Sequence, residues 1–199
     1  DHMNGGMTIY GNIFHEHEGV SASFFSGGRS NMVENNVFYR CDNAITLGDR
    51  SFVWDKVTDR GRERWRDYLR EMNVDEPPWS ERYPDLVGLA ERENPAIPED
   101  NLVARNIALR VPTFIRVAEV PRETATIEHN LEGRDPGFVA PDAGDFTIRA
   151  DSAIFGEIGF DPIPLERIGL YEDDLRATWP VTHEVDTHEH MSVQRTPLE

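Results

Sequence analysis

The chain has 199 residues, 38% of them apolar and 29% charged, with a formal net charge of −17, a balance that fits one soluble domain with a modest core. That charge speaks against nucleic acid or an anionic membrane surface as a partner, no run reaches the length of a membrane span, and no charged-then-apolar leader is present. Its one cysteine, Cys41, excludes an internal disulfide framework, and the neighbours Tyr39 and Ile45 predict an inert buried thiol.

In chain order, residues 7–14 read as a first strand pair around a corner. His15-Glu-His-Glu18 then makes a turn, Gly19 to Phe25 a strand, and Ser26-Gly-Gly-Arg-Ser30 a loop. Strands follow over Asn31–Phe38 and, after the turn Tyr39-Arg-Cys-Asp42, over Asn43–Asp49. From Ser51 the composition turns charged and aromatic. The spacing of Trp65, Tyr68, Leu69 and Met72 predicts a helix over 58–72 with those four side chains on one face, Thr58 as its N-cap and Asn73 as its stop. Pro77-Pro78-Trp79 ends that excursion, Tyr83 to Ala90 forms a second short helix after Pro84, and Pro95 to Pro98 leads back. Strands resume over Leu102–Leu109, Thr113–Val117 and Thr126–Leu131. Asp135-Pro-Gly-Phe-Val139, Gly144 to Arg149 and Asp151-Ser-Ala153 belong to a non-repeating tail, and the chain beyond Trp179 is polar and unanchored.

A repeat organises these elements. Met7–Phe14, Asn31–Phe38, Asn101–Ala108 and Thr124–Leu131 each read aliphatic, two residues, Asn, aliphatic, and the shared Asn falls at Asn12, Asn36, Asn106 and Asn130. The first and last intervals are equal, and the middle one, from Asn36 to Asn106, reads as one such interval plus an insertion. An interval of about 24 residues with short aliphatic strands points to a solenoid. No Leu-x-x-Leu-x-Leu pattern occurs, whereas β-branched Ile9, Val33, Val103 and Ile127 hold the equivalent position, as strands prefer. The spacing of three from aliphatic residue to Asn breaks strand parity and implies a bend, where Asn tolerates a left-handed backbone. Asn side chains in equivalent places can stack as a hydrogen-bonded ladder.

The expected fold is therefore all-β: a right-handed parallel β-helix of about 24 residues per coil. The helical insertion falls at 50–99, a capping segment at 132–181 and a disordered tail at 182–199. A solenoid needs a polar cap at each end, and only the C-terminal one is visible, so the expectation is the C-terminal part of a longer protein whose upstream β-helix is missing here.

The strings YGNIF, SGGRSNMVENNVF, PPWSERYP, DPGF, GDFTIRADSA and IGLYEDDLRATWP resemble the C-terminal half of bacterial right-handed parallel β-helix proteins of the pectate-lyase-like superfamily. The resemblance runs from residue 1 to about Val181 and is to the large secreted type similar to fucosidase- and xylanase-type glycoside hydrolases. It implies a polysaccharide or oligosaccharide as partner and an extracellular or periplasmic location. It also aligns Asp1 with the second Asp of a Tyr-Leu-Asp-Asp strand end that precedes the Tyr-Gly-Asn coil in that type.

Counting by that same interval puts Asp1, Phe25 and Asp49 at one rung position. With about 4.8 Å between strands, two coils separate Asp1 from Asp49 by roughly 9.6 Å, close to the span of about 6.5–9.5 Å that inverting glycosidases keep between general acid and general base. Arg29 and Arg50, after the same edge, can bind a uronate or set the carboxylate pKa values. The plainer role for each Asp is a turn cap, which holds also for Asp42, a second-choice carboxylate. His15 and His17 alternate with Glu16 and Glu18 as a metal pair would, but a solvated charged corner accounts for them better; His183, His188 and His190 lie in the loose tail. Among Trp54, Trp65 and Trp79, Trp79 is the best sugar-stacking candidate, against a packing role for the helix face. Neither a phosphate-binding glycine loop nor a nucleophile elbow occurs. The expected activity is polysaccharide degradation by a glycoside hydrolase working in the groove along the solenoid, with no metal and no cofactor. The alternatives are a polysaccharide lyase, for which Ca²⁺ enters, and a non-catalytic carbohydrate-binding or structural segment.

Overall fold

The structure is a computed structural model that describes residues 5–19, 21–26, 28–48, 59–93, 95, 99–118 and 125–169. The chain divides into two compact units, residues 1–165 and 166–199, and the elements that follow belong to the first. In chain order they are β1 (Thr8–Tyr10), β2 (Ile13–His15), β3 (Ser23–Ser26), β4 (Met32–Glu34), β5 (Val37–Tyr39), β6 (Asn43–Gly48), α1 (Asp59–Glu71), α2 (Trp79–Arg82), β7 (Asn101–Ala104), β8 (Ile107–Leu109), β9 (Thr113–Ala118), β10 (Ala125–Glu128), β11 (Leu131–Glu132), β12 (Phe138–Ala140), β13 (Asp145–Ile148) and α3 (Ile154–Glu157).

The repeat decides which strands pair. One parallel sheet has the order β1-β4-β7-β10, a second β11-β8-β5-β2 and a third β3-β6-β9. In the first, Ile9 lies beside Val33, Val33 beside Val103 and Val103 beside Ile127, so the β-branched positions align and turn onto one core with Phe14, Phe38, Ala44, Ile45, Leu47 and Phe114. Short bends join the strands of different sheets, and equivalent corner residues share a left-handed backbone. Gly11, Asn35, Arg105 and His129 have φ of 68°, 57°, 54° and 51°, and Glu16, Arg40 and Arg110 have 53°, 53° and 56°. Non-glycine residues tolerate this region at a cost, which the regular hydrogen bonding on both sides of each corner offsets.

The expectation of an all-β right-handed parallel β-helix is corrected by this architecture. The described strands are short and fall into four small sheets, none closed, accompanied by helices and with no solenoid. The fourth sheet is the antiparallel pair β12-β13. One physical reason is that the spacing is not uniform. Thr8 pairs with Met32 and Ile13 with Val37, which are equal steps along the chain, but in β3-β6 Ser23 pairs with Ile45, a step shorter by two. A single coil length read from the Asn positions does not extend to every sheet.

The Asn ladder itself is present. Asn12 N–H donates to Asn36 Oδ1 at 3.0 Å, Asn36 N–H to Asn106 Oδ1 at 3.0 Å and Asn106 N–H to Asn130 Oδ1 at 2.9 Å, and the Nδ2 groups repeat the pattern at 3.0 Å. A second, shorter ladder joins Met7 N–H to Asn31 Oδ1 and Asn31 N–H to Asn101 Oδ1, both at 3.0 Å. Asn36 and Asn106 are fully buried, so these bonds satisfy amides that would otherwise stand dehydrated in the core.

The helix expected over 58–72 spans Asp59–Glu71. Asn73, at φ 54°, ends it, and the N–H of Val74 returns to Leu69 O at 3.3 Å. The buried face is narrower than the pattern implies. Leu69 is buried and Trp65 half-buried against Val74, Leu89 and Ala90, while Tyr68 and Met72 are 40% and 48% exposed. Arg66 of the same helix donates to the carbonyls of Ala90, Arg92 and Glu93.

Cys41 is buried, its Sγ donating to Phe14 O at 3.4 Å, and burial pushes its thiol up from the ordinary value. A disulfide reagent is expected to leave the native thiol unmodified over the period in which denatured protein reacts completely. Rapid labelling of the native protein would contradict the buried placement.

Candidate functional site

The sequence-predicted site residues do not converge among the described residues. Asp1, Asp49 and Arg50 lie outside them, as do Trp54, His183, His188 and His190. Arg29 and Asp42 stand at opposite ends of the β3-β6-β9 sheet, the first after β3 and the second before β6. The length of the β6 strand, about 20 Å, separates those ends. Arg29 is only 8% exposed; its Nη1 meets Glu99 Oε2 at 3.0 Å and its Nη2 meets Asp100 Oδ2 at 3.1 Å. Glu99 also receives Arg92 Nη1 at 2.5 Å, so the guanidinium of Arg29 holds the chain where it re-enters the sheets after the helical region. Asp42 is exposed and its Oδ2 accepts the N–H of Gly19 at 3.1 Å, a turn cap. Trp79 is half-buried against Leu69, Val74, Leu89 and Ala90, with its ring 5.9 Å from that of Tyr83, which is packing.

The rung count also changes. Phe25 lies beside Leu47, because the chain takes two more residues from His15 to Ser23 than from their partners Tyr39 to Ile45. A full repeat counted from Phe25 therefore does not give the neighbouring position in this sheet. His15 is drawn into an aromatic cluster, 5.6 Å from the Tyr39 ring and 5.1 Å from that of Phe146, with Nε2 3.5 Å from Glu16 Oε1. Among the described residues no group of three or more His, Cys, Asp or Glu side chains is arranged to hold a metal ion.

Among the described residues a polar cluster lies at the corner after β5 and β8. Tyr39, with no exposed surface, donates its hydroxyl to Asp142 Oδ1 at 2.5 Å. Arg110 Nη1 reaches both the Tyr39 oxygen and Asp142 Oδ1 at 2.6 Å. Arg40 bridges Asp142 Oδ1 and Glu16 Oε1, each at 2.9 Å. The hydrogen bond from Tyr39 and then that from Arg110 hold the Asp142 carboxyl below the usual range, while burial and the Asp142 contact push the Tyr39 phenol up. Two carboxylates and two guanidiniums neutralise one another here, which makes the cluster a clasp between the corner and the tail. A lowered carboxylate pKa in the folded state favours folding above the unfolded value, and that contribution is lost as pH falls through the folded one. Asp142→Asn is expected to flatten the acid limb of the stability curve, below about pH 4, in denaturation measured across pH.

The tail also builds a cleft. Asp135 Oδ1 accepts the N–H groups of Gly137 and Phe138 at 2.8 and 3.0 Å, turning the chain into the hairpin of β12 and β13, where Phe138 pairs with Ile148. Gly137 has φ 98°, and a Cβ there would stand 3.2 Å from Arg149 Nη2, so glycine both makes the turn and leaves room for the guanidinium. Ser152 Oγ donates to Pro136 O at 2.5 Å and accepts the N–H of Ile154, which begins α3. The result is an open cleft of about 440 Å³ with Leu131, Pro136 and Ile154 as apolar lining and Arg134, Asp135, Arg149, Asp151, Ser152 and Glu157 as polar lining, within the usual size of small-ligand sites. Arg134 is paired with Glu157. Among the described residues the side chain of Arg149 makes one hydrogen bond, from Nη1 to Phe138 O at 3.3 Å, and Asp151 is exposed.

No periodic signal pointed to this cleft. Arg134 and Asp135 come from one side of the hairpin and Arg149 and Asp151 from the other, and only the β12-β13 pairing brings them together. The local cue was the Asp-Pro-Gly run at 135–137, which marks a turn without saying what the turn opposes. Compared with family models, with curated proteins and with solved structures, the chain matches none.

Proposed function

We propose that the protein is carbohydrate-active and that it degrades a polysaccharide as a glycoside hydrolase, with Asp1 and Asp49 as the carboxylate pair. The observation that carries the binding half of this reading is the tail cleft. Its apolar lining suits the face of a sugar ring, while Arg149 and Asp151 supply a donor and an acceptor that the described residues leave largely unused, the combination that a polyhydroxylated ligand needs. The hydrolytic half rests on the sequence strings and on the two carboxylates.

The test is a reducing-end assay of the protein on neutral and acidic polysaccharides, with absorbance at the unsaturated-uronate band followed in parallel. Reducing ends without that absorbance are expected, and Asp49→Asn is expected to lower the rate by about 10²–10⁴-fold, the usual contribution of a general acid or base. Undiminished hydrolysis by that variant would remove Asp49 from the reaction, and unsaturated products would make the protein a lyase.

A second reading is binding without turnover. What favours it is the state of the cleft's carboxylates: Asp135 caps the turn and Glu157 is paired with Arg134, so Asp151 is left without a second carboxylate to share acid and base roles. Saturable oligosaccharide binding with no reducing ends would select this reading.

A further inference from the structure

The charges that line the tail cleft do not balance. Two guanidiniums, Arg134 and Arg149, face three carboxylates, Asp135, Asp151 and Glu157. Arg134 is neutralised by Glu157, and Asp135 Oδ1 is engaged by the N–H groups of Gly137 and Phe138. Arg149 and Asp151 therefore remain for a ligand, the latter with no hydrogen-bond or ion-pair partner among the described residues. The backbone holds both in place. Arg149 N–H donates to Gly137 O at 3.0 Å and Ser152 N–H to Arg149 O at 2.9 Å, so the two side chains stand on one closed turn, which Ser152 Oγ ties to Pro136 O. The guanidinium is steered by its bond to Phe138 O and by its close approach to Gly137, where a Cβ would stand 3.2 Å from Nη2.

We propose that this cleft selects a neutral sugar over an acidic one, with one ring hydroxyl accepting from Arg149 and a hydroxyl on the neighbouring carbon donating to Asp151. The inference rests on the reading above that the cleft binds the saccharide, and adds which class of saccharide it takes. A uronate would bring its carboxylate among three others, on a chain whose net charge is already −17, and like charges brought together cost affinity. Arg149 does not offset this alone, because Asp151 shares its turn. A pair of hydroxyls suits both groups, since each hydroxyl donates and accepts. The fixed turn lowers the ordering cost of binding, and Leu131, Pro136 and Ile154 supply the apolar surface for the ring.

Isothermal titration calorimetry of the full chain tests this with oligouronates and with the same oligouronates after reduction of their carboxyls to alcohols, which keeps linkage and stereochemistry fixed. Xylo-, manno- and galacto-oligosaccharides widen the neutral set. At low ionic strength the neutral member of a pair is expected to bind about tenfold more tightly, and added salt is expected to narrow the gap, because it screens exposed charges such as Asp151. Asp151→Asn, which leaves the backbone bonds of the turn in place, is expected to bring the acidic member up towards the neutral one. Arg149→Gln is expected to weaken both by about tenfold or more, as loss of a hydrogen bond from a charged group does; far-UV circular dichroism confirms that both variants fold. Acidic members that bind as tightly as their neutral partners, or a preference that Asp151→Asn leaves unchanged, would overturn the proposal while the carbohydrate reading stands. Saccharide binding that Arg149→Gln does not weaken would overturn it too, by placing the ligand outside this cleft. Failure of every neutral and acidic saccharide to bind would sink the carbohydrate reading itself, and this inference with it.

Discussion

Asn36→Ala is expected to lower the unfolding free energy by about 3–5 kcal/mol, since each buried polar group left without its partner costs about 1–3 kcal/mol. The side chain of Asn36 is fully buried and engages five groups. Its Oδ1 accepts the N–H and the Nδ2 of Asn12, and its Nδ2 donates to Ile9 O, Glu34 O and Asn106 Oδ1, all at 2.9–3.0 Å. Alanine removes all of these and is too small to admit more than a poorly held water. Asn130→Ala, at the half-buried end of the ladder, removes a side chain that solvent already reaches, so water can take its place against the N–H and Nδ2 of Asn106 and the carbonyls of Val103 and Glu128, and its cost should be clearly smaller. Urea denaturation of the two variants beside wild type makes the comparison. Equal losses at positions 36 and 130 would mean that ladder position, and with it burial, does not govern the energy.

Phe38→Ala should cost about 3–5 kcal/mol, as for other buried aromatic residues cut to alanine. Phe38 has no exposed surface and stacks on Phe14 with centroids 4.8 Å apart and planes at 4°, while Phe114 stands 6.3 Å away. These rings come from three strands in two different sheets, so the cavity would open where β2, β5 and β9 meet and could not close by moving one strand. Phe38→Leu keeps most of the volume and is expected to recover more than half of the loss. Denaturation midpoints with an unchanged dependence on urea concentration would report a pure stability change. A loss below about 1 kcal/mol for Phe38→Ala would mean that the neighbouring rings collapse into the space.

Both substitutions act on the part of the molecule that was legible in the sequence. The positions of Asn12, Asn36, Asn106 and Asn130, the β-branched row from Ile9 to Ile127, and the longer interval from Asn36 to Asn106 across the helical region together determined which strands pair and where the ladder runs. The stop at Asn73 was equally local, because a left-handed residue after an amphipathic run ends a helix whatever surrounds it. Information of this kind repeats along the chain or resides in a few neighbouring residues, and backbone geometry carries it directly into structure.

Tertiary packing decided the rest. The two residues that the corner after β2 takes beyond its counterpart shorten the β3-β6 step, and no Asn position records that shift. Arg29 has a sequence environment open to ligand binding, yet its partners Glu99 and Asp100 return from far along the chain to bury it. Tyr39 meets Asp142 across 103 residues, and Tyr10 and Asn35 meet Asp161 across 151 and 126. The tail that supplies Asp142 and Asp161, and that builds the cleft around Arg149, has no period to read. Its placement follows from the burial of Phe138, Phe146, Ile154 and Phe160 against Val37, Ile107 and Leu131, a surface that exists only once the parallel strands have stacked.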